Sequence, residues 1–262
     1  MKYEIKQIHE RVECCLVYID DVDAELKELI RNNFLEIVMG KRFAEREEDE
    51  EHSDSLKDAA KYIYQKSGDT NRAGIIGELI FHSVLRTENL SKKYLSACPT
   101  IGYSDCYQGF FKGFDGCYYY DNSVWIVEVK SKLKSSQLDD DNKSKSKEAS
   151  QQIAAEAKDE KINRWEKAKK HVYMQLDEIE QNETKIFELL KKPNRQKYNL
   201  MLGTLLICEN GNFNKEFIKK FLDELFHTDV ADQKLLMVCI RSFDYEKIIE
   251  FVEREIGENV AV

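Results

Sequence analysis

Apolar residues in this chain fall into short unbroken runs separated by stretches of helical spacing. Val12–Ile19, Ser123–Val127, Leu200–Cys208 and Leu235–Ile240 are runs of strand length, and they predict buried strands. Elsewhere the apolar spacing becomes three and four. Leu26, Leu29, Ile30, Phe34 and Ile37 predict a helix over 23–39 that Gly40 ends. Residues 55–65 predict another, ended by Gly68. Asp69 or Thr70 is placed to cap a third helix, which carries Gly74, Gly77 and Glu78 to about Arg86. From Glu148 to Lys192 there is neither Gly nor Pro. Ala154, Ile162, Trp165, Ala168, Val172, Leu176 and Ile179 predict two helices there, with a break near 182–184 and a stop at Pro193. Helices over 214–226 and 244–255 follow the last two strands. Ser135–Lys147 is polar and charged with almost no apolar residue, and reads as an exposed loop.

Strands alternating with helices imply an α/β fold whose sheet is covered on both faces. The expected division is an N-terminal strand-helix extension, residues 1–68, packed on a core domain of residues 69–262.

Composition narrows the setting. No run of about eighteen apolar residues occurs, so no transmembrane helix is expected, and Met1–Lys6 is too polar for a signal peptide. The seven cysteines are odd in number and include no C-x-x-C pair, which fits reduced core thiols in a cytoplasmic protein. A net charge of -9 argues against indiscriminate coating of nucleic acid. Residues 130–198 nevertheless carry 17 Lys and Arg against 13 Asp and Glu, a local field that can attract phosphate. The acidic run 45–51 reads most simply as a solvated segment.

The candidate chemistry lies around Glu128-Val129-Lys130, at the end of a predicted strand. Strand residues two apart leave the same face, so Glu128 and Lys130 project together. Tyr118–Trp125 reads as a hairpin turning at Asp121-Asn122. In that register Tyr120 pairs with Ser123, and Asp115 of Gly113-Phe114-Asp115-Gly116 falls opposite Glu128. Directly paired residues share a face with β-carbons about 5 Å apart, so two carboxylates converge. Trp125, Val127 and Val129 belong to the other face. Glu78 of Gly74-Ile75-Ile76-Gly77-Glu78 offers a third carboxylate from a helix, with both glycines expected to let that helix approach the sheet.

Phosphodiester hydrolysis needs charge neutralisation, an activated water and help for the leaving oxygen. Asp115, Glu128 and Glu78 are carboxylate candidates for Mg²⁺, with Mn²⁺ able to substitute, and the Val129 carbonyl is a further oxygen. Lys130 is placed either to hold the attacking water or to stabilise the phosphate, and the sequence leaves both roles open. His82, one turn after Glu78, reads better as a buried structural histidine than as a site residue. Gln151 and Gln152, at the expected start of a helix, are equally placed for substrate or solvent.

These residues resemble the PD-(D/E)xK nuclease superfamily, over roughly residues 70–210. Glu78 matches the helix carboxylate, Asp115 the motif aspartate, and Glu128 with Lys130 the E-x-K pair; Phe114 stands where the family usually has Pro. The resemblance implies a restriction-endonuclease-like core of mixed sheet flanked by helices. More narrowly, Gly-Phe-Asp-Gly followed by Trp-Ile-Val-Glu-Val-Lys-Ser-Lys resembles the HamA family, nuclease subunits of the Hachiman anti-phage defence system. That resemblance implies a metal-dependent DNA endonuclease restrained by an ATP-dependent helicase partner, HamB. A restriction or repair endonuclease without a helicase, and a nuclease-like module serving as a non-catalytic binding subunit, are the alternatives.

Overall fold

The four apolar runs become neighbouring strands at the centre of one sheet. The structure, a computed structural model, describes residues 2–7, 12–39, 69–87, 98–99, 103–104, 109–110, 114–120, 123–158, 165–166, 183–191, 198–225 and 232–241, with 247, 250 and 251. Its elements in chain order are β1 (Lys2–Gln7), β2 (Val12–Ile19), α1 (Ala24–Met39), α2 (Asp69–Leu85), β3 (Cys98–Pro99), β4 (Tyr103–Ser104), β5 (Gly109–Phe110), β6 (Gly116–Tyr120), β7 (Ser123–Lys132), α3 (Leu138–Lys158), α4 (Glu183–Leu189), β8 (Asn199–Ile207), α5 (Lys215–Leu225) and β9 (Gln233–Ile240).

Seven strands pair in the order β1-β2-β9-β8-β7-β6-β3, and β4 and β5 form a separate small ribbon. The central four, β2, β9, β8 and β7, are parallel, whereas β1, β6 and β3 pair antiparallel at the two sides. The fold is therefore α/β with a mixed sheet, as the sequence pattern implied. Every described side chain of β8 and β9 is buried, the signature of parallel strands covered above and below.

Each face of the sheet has its own core. On one, Cys15, Val17, Trp125, Val127, Val129, Met201 and Val238 pack under Leu26, Ile30 and Phe34 of α1 and Ile76, Ile80, Phe81 and Val84 of α2. On the other, Leu16, Ile126, Leu202, Leu206 and Met237 pack under Leu138, Ala149 and Ile153 of α3 and Ile218, Phe221 and Leu222 of α5. Burying each Val, Leu, Ile, Phe or Met among them is worth about 1.5–3 kcal/mol. Asp23 opens α1 by accepting the Leu26 N–H at 2.9 Å, and Asn214 opens α5 by accepting the N–H groups of Glu216 and Phe217.

The stretch 135–147 corrects the sequence reading. It is not a loop: α3 begins at Leu138 and runs unbroken to Lys158. Its buried stripe is Leu138, Asn142, Ser146, Ala149, Ser150 and Ile153, which has helical spacing but three polar members. Asn142 accepts the Thr204 hydroxyl at 2.6 Å and donates to Met237 Sδ at 2.8 Å, so an amide is satisfied where an apolar residue would be expected. Gln151 and Gln152 consequently lie well inside α3 and not at its start. β1 is a second departure, a strand at the sheet's side that the sequence pattern did not announce. The predicted helix over 55–65, the acidic run 45–51, the turn at 121–122 and most of 244–255 lie outside the described residues. No helix among the described residues is long and apolar enough to cross a membrane.

Candidate active site

The β6–β7 hairpin has the register expected from the sequence. Tyr120 pairs with Ser123, Cys117 with Ile126 and Gly116 with Val127. Asp115 stands one residue before β6 begins, level with Glu128. β7 runs on to Lys132 without β6 beside it, and there the Asp115 side chain takes the place of a strand. Its Oδ2 accepts the Val129 N–H at 2.8 Å. A strand residue presents its N–H and C=O to the same side, so the Val129 carbonyl belongs to this open edge as well.

Faces alternate along β7 as predicted, with Trp125, Val127 and Val129 in the α1–α2 core and Val124 and Ile126 in the α3–α5 core. Glu128 and Lys130 therefore leave on the α3 side. Glu128 is fully buried and Lys130 is 16% exposed, and Lys130 Nζ donates to Glu128 Oε1 at 2.7 Å. Burial alone pulls the Lys130 ammonium down. Glu128, Asp115 and Glu78 together outweigh that, so its pKa ends above the usual lysine value.

Glu78 reaches the same neighbourhood from α2. It keeps part of its surface exposed, but crowding by protein, followed by repulsion from Asp115, drives its carboxyl well above the ordinary carboxylate range; Lys130 offsets this only in part. What lets α2 come so near is Gly77. A β-carbon there would lie 2.5 Å from Ser131 Cβ and 2.6 Å from Ser131 Oγ. Gly74 has no such role, since a β-carbon on it would meet nothing within 4 Å. Of the two glycines expected to permit close approach, one does.

His82 is buried on α2, facing the hairpin from the opposite side of the sheet. Its Nε2 lies 2.8 Å from the Asp115 carbonyl oxygen, and its Nδ1 contacts the Tyr118 hydroxyl. Burial, then Arg86, lowers its pKa to about 3, although the bond to the Asp115 backbone acts the other way. The ring is thus neutral: Nε2–H donates to the carbonyl and the Tyr118 hydroxyl donates to Nδ1. It is a structural histidine in burial and charge, bonded to the peptide that carries the motif aspartate.

Among the described residues no three His, Cys, Asp or Glu side chains are gathered as a ready metal cage. The donor chemistry fits a different arrangement. Mg²⁺ keeps several waters and is held through one or two carboxylates plus substrate phosphate, and Asp115, Glu128 and the Val129 carbonyl supply hard oxygens. The Glu78 carboxyl is raised by burial first and by the Asp115 charge second, and a cation held nearby would oppose both.

A family model described as HamA matches residues 2–256 of the 262-residue chain. The chain belongs to the HamA family. Membership makes it an anti-phage defence protein. No curated protein and no solved structure matches it.

The HamA match spans both the strands at the N-terminal side of the sheet and the strands that carry the site. Within it the structure draws together Asp115, Val129, Glu128, Lys130 and Glu78. Gln151 is exposed and Gln152 half-buried on α3, and Tyr118, one of three consecutive tyrosines, is a buried partner of His82. Sequence reasoning missed the link from His82 and Tyr118 to Asp115, because 33 residues separate the imidazole from the carbonyl it meets. It also missed Lys132, two residues beyond Lys130 on the same face, whose Nζ is 2.6 Å from Asp141 Oδ1 on α3. The period-two spacing of Glu128, Lys130 and Lys132 was the signal available for that.

Proposed function

We propose that this chain is a metal-dependent DNA endonuclease whose reacting groups are Asp115, Glu128, Lys130 and Glu78. The observation that carries the reading is the junction where β6 stops: the Asp115 carboxylate is fixed on the Val129 N–H while Glu128 and Lys130 flank that same residue. A bound Mg²⁺, or Mn²⁺ in its place, would supply Lewis-acid stabilisation of the phosphate and an acidified water. Asp115, Glu128 and the Val129 carbonyl would hold it, with Glu78 joining directly or through water.

The chain's own residues do the rest. Lys130 is kept protonated by its acidic neighbours, so it acts as a cationic donor toward phosphate oxygen or attacking water and not as a proton acceptor. Its placement beside Glu128 fixes that donor before substrate arrives, which lowers the reorganisation needed in the transition state. Lys132 adds a second, 41% exposed ammonium on the same face, suited to backbone phosphate.

The overall charge of -9 gives the free chain little grip on DNA. Affinity and restraint then come from a partner, which by the family resemblance is an ATP-dependent helicase of the HamB kind. The test is plasmid degradation by the purified chain and by its complex with the adjacent operon product. Asp115→Asn and Glu128→Gln should each lower cleavage by at least about 100-fold, the scale lost with a principal transition-state contact. These variants are preferable to Lys130→Ala, which strands a buried carboxylate at about 3–5 kcal/mol. EDTA should abolish cleavage and Mg²⁺ or Mn²⁺ restore it. Undiminished cleavage by a folded Glu128→Gln chain refutes the assignment, and ATP-indifferent cleavage by the complex refutes the restraint.

A further inference from the structure

We propose that His82 and Tyr118 are positioning residues that hold the Asp115 peptide in the orientation its carboxylate needs to bind a divalent cation. The inference rests on the metal-site reading above and adds two residues from the opposite face of the sheet. Asp115 stands one residue before β6. His82 holds its carbonyl oxygen, at 2.8 Å from Nε2. The side chain of the same residue is fixed by Val129, and Asp115 is thereby held at both its main chain and its carboxylate.

The geometry leaves His82 one way to do this. Its ring is fully buried; the Asp115 carbonyl can only accept, so Nε2 carries the proton and Nδ1 is left to accept from the Tyr118 hydroxyl. Gly116 makes room for the ring. A β-carbon at residue 116 would stand 3.0 Å from His82 Cε1, 3.0 Å from Tyr118 Cε2 and 2.7 Å from Val127 Cβ. The glycine that follows the motif aspartate thus admits an imidazole to the aspartate's own carbonyl. A merely space-filling histidine would need neither a hydroxyl at Nδ1 nor a bond to that one peptide.

Outer partners of metal ligands are typically worth ten- to a hundredfold in metal affinity. The experiment measures Mn²⁺ binding to the full-length chain by electron paramagnetic resonance, with no DNA present. His82→Leu, which keeps an apolar side chain and loses the donor, should weaken Mn²⁺ binding by about tenfold or more. His82→Gln, whose amide N–H₂ can reach the Asp115 carbonyl, should bind within about threefold of wild type, a rescue that generic core damage would not give. Tyr118→Phe removes one hydroxyl and should weaken binding several-fold, and it carries the test if His82→Leu does not fold. Wild-type affinity in a folded His82→Leu chain, or in Tyr118→Phe should that be the only folded variant, overturns this inference and leaves the nuclease reading intact. Equal losses in His82→Leu and His82→Gln overturn it too. Failure of the wild-type chain to bind Mn²⁺ overturns the metal-site reading and this inference with it.

Discussion

Gly77→Ala and Gly74→Ala make the same chemical change one turn apart on α2, and the structure gives them opposite signs. At Gly77 the new methyl would sit 2.5 Å from Ser131 Cβ, against about 3.5–4.0 Å for an unstrained carbon pair. Ser131 lies in β7, paired in register with Leu205 of β8, so the strand is fixed and the helix must retreat by about 1 Å. Overpacking of this kind costs about 1–3 kcal/mol. Alanine regains up to about 1 kcal/mol of helix propensity, leaving a net loss of roughly 0–2 kcal/mol. At Gly74 only the propensity gain operates, because its β-carbon would meet nothing within 4 Å. Urea unfolding at constant slope reads both changes, and the variants should differ by about 1–3 kcal/mol. Adding Ser131→Gly to Gly77→Ala removes both clashing atoms and leaves only the Ser131 Cα, at 3.9 Å. The double variant should recover a coupling of about 0.5–3 kcal/mol. Retreat of α2 also draws Glu78 away from Asp115 and Lys130, so DNA cleavage should fall with stability in Gly77→Ala and return in the double variant. Equal stabilisation by both alanines, or no recovery on removing the Ser131 side chain, refutes the close-approach argument.

Two further outcomes follow from α3. Asn142→Ala leaves the buried Thr204 hydroxyl without its acceptor and should cost about 1–3 kcal/mol beyond the lost packing; Asn142→Ala with Thr204→Val should be milder than the single change, by urea midpoint. At Asp141, burial raises the carboxyl but the bonds from Lys132 and Ser135 outweigh it, holding its pKa below the ordinary 3.8. Its stabilising contribution is therefore complete above that value and is lost as pH falls further. Asp141→Asn should cost about 1–2 kcal/mol at neutral pH, with the gap from wild type closing as unfolding is followed down toward pH 3, and a gap that widens on acidification would contradict the sign.

Sequence patterning read β2 with its observed ends and placed α1, β8 and β9 within one or two residues, because each is an unmixed run or a clean helical stripe. The hairpin register was legible too, since one short turn fixes every pair after it. The start of α3 was not. Its inward positions, Asn142 and Ser146, are polar, and hydropathy cannot distinguish a buried amide satisfied by Thr204 and Met237 from a solvated one. The partner of Lys132 was hidden with it, because Asp141 belongs to the unrecognised helix. Gly74 and Gly77 look alike in sequence, and only the position of Ser131 separates them. Glu78, Asp115, Glu128 and Lys130 could be named from motif order, whereas the bond from His82 to Asp115 depends on how α2 crosses the sheet.

The strand order also dictates a schedule for synthesis. Val12 of β2 pairs with Gln233 of β9, so one of the first strands made must wait for the last strand of the sheet. At about 5–20 residues per second, that wait is roughly 10–40 s. During it β2, with an apolar sequence of Val-Glu-Cys-Cys-Leu-Val-Tyr-Ile, has a free edge of the kind that recruits strands from other chains. Its one early companion is β1, which pairs antiparallel from Gln7 opposite Glu13 back to Lys2 opposite Tyr18 and can form as soon as both are made. β1 thus shields one edge of an immature chain while β7, β8 and the hairpin bearing Asp115 are still being translated, and β2 can seat against β9 only after both have been made.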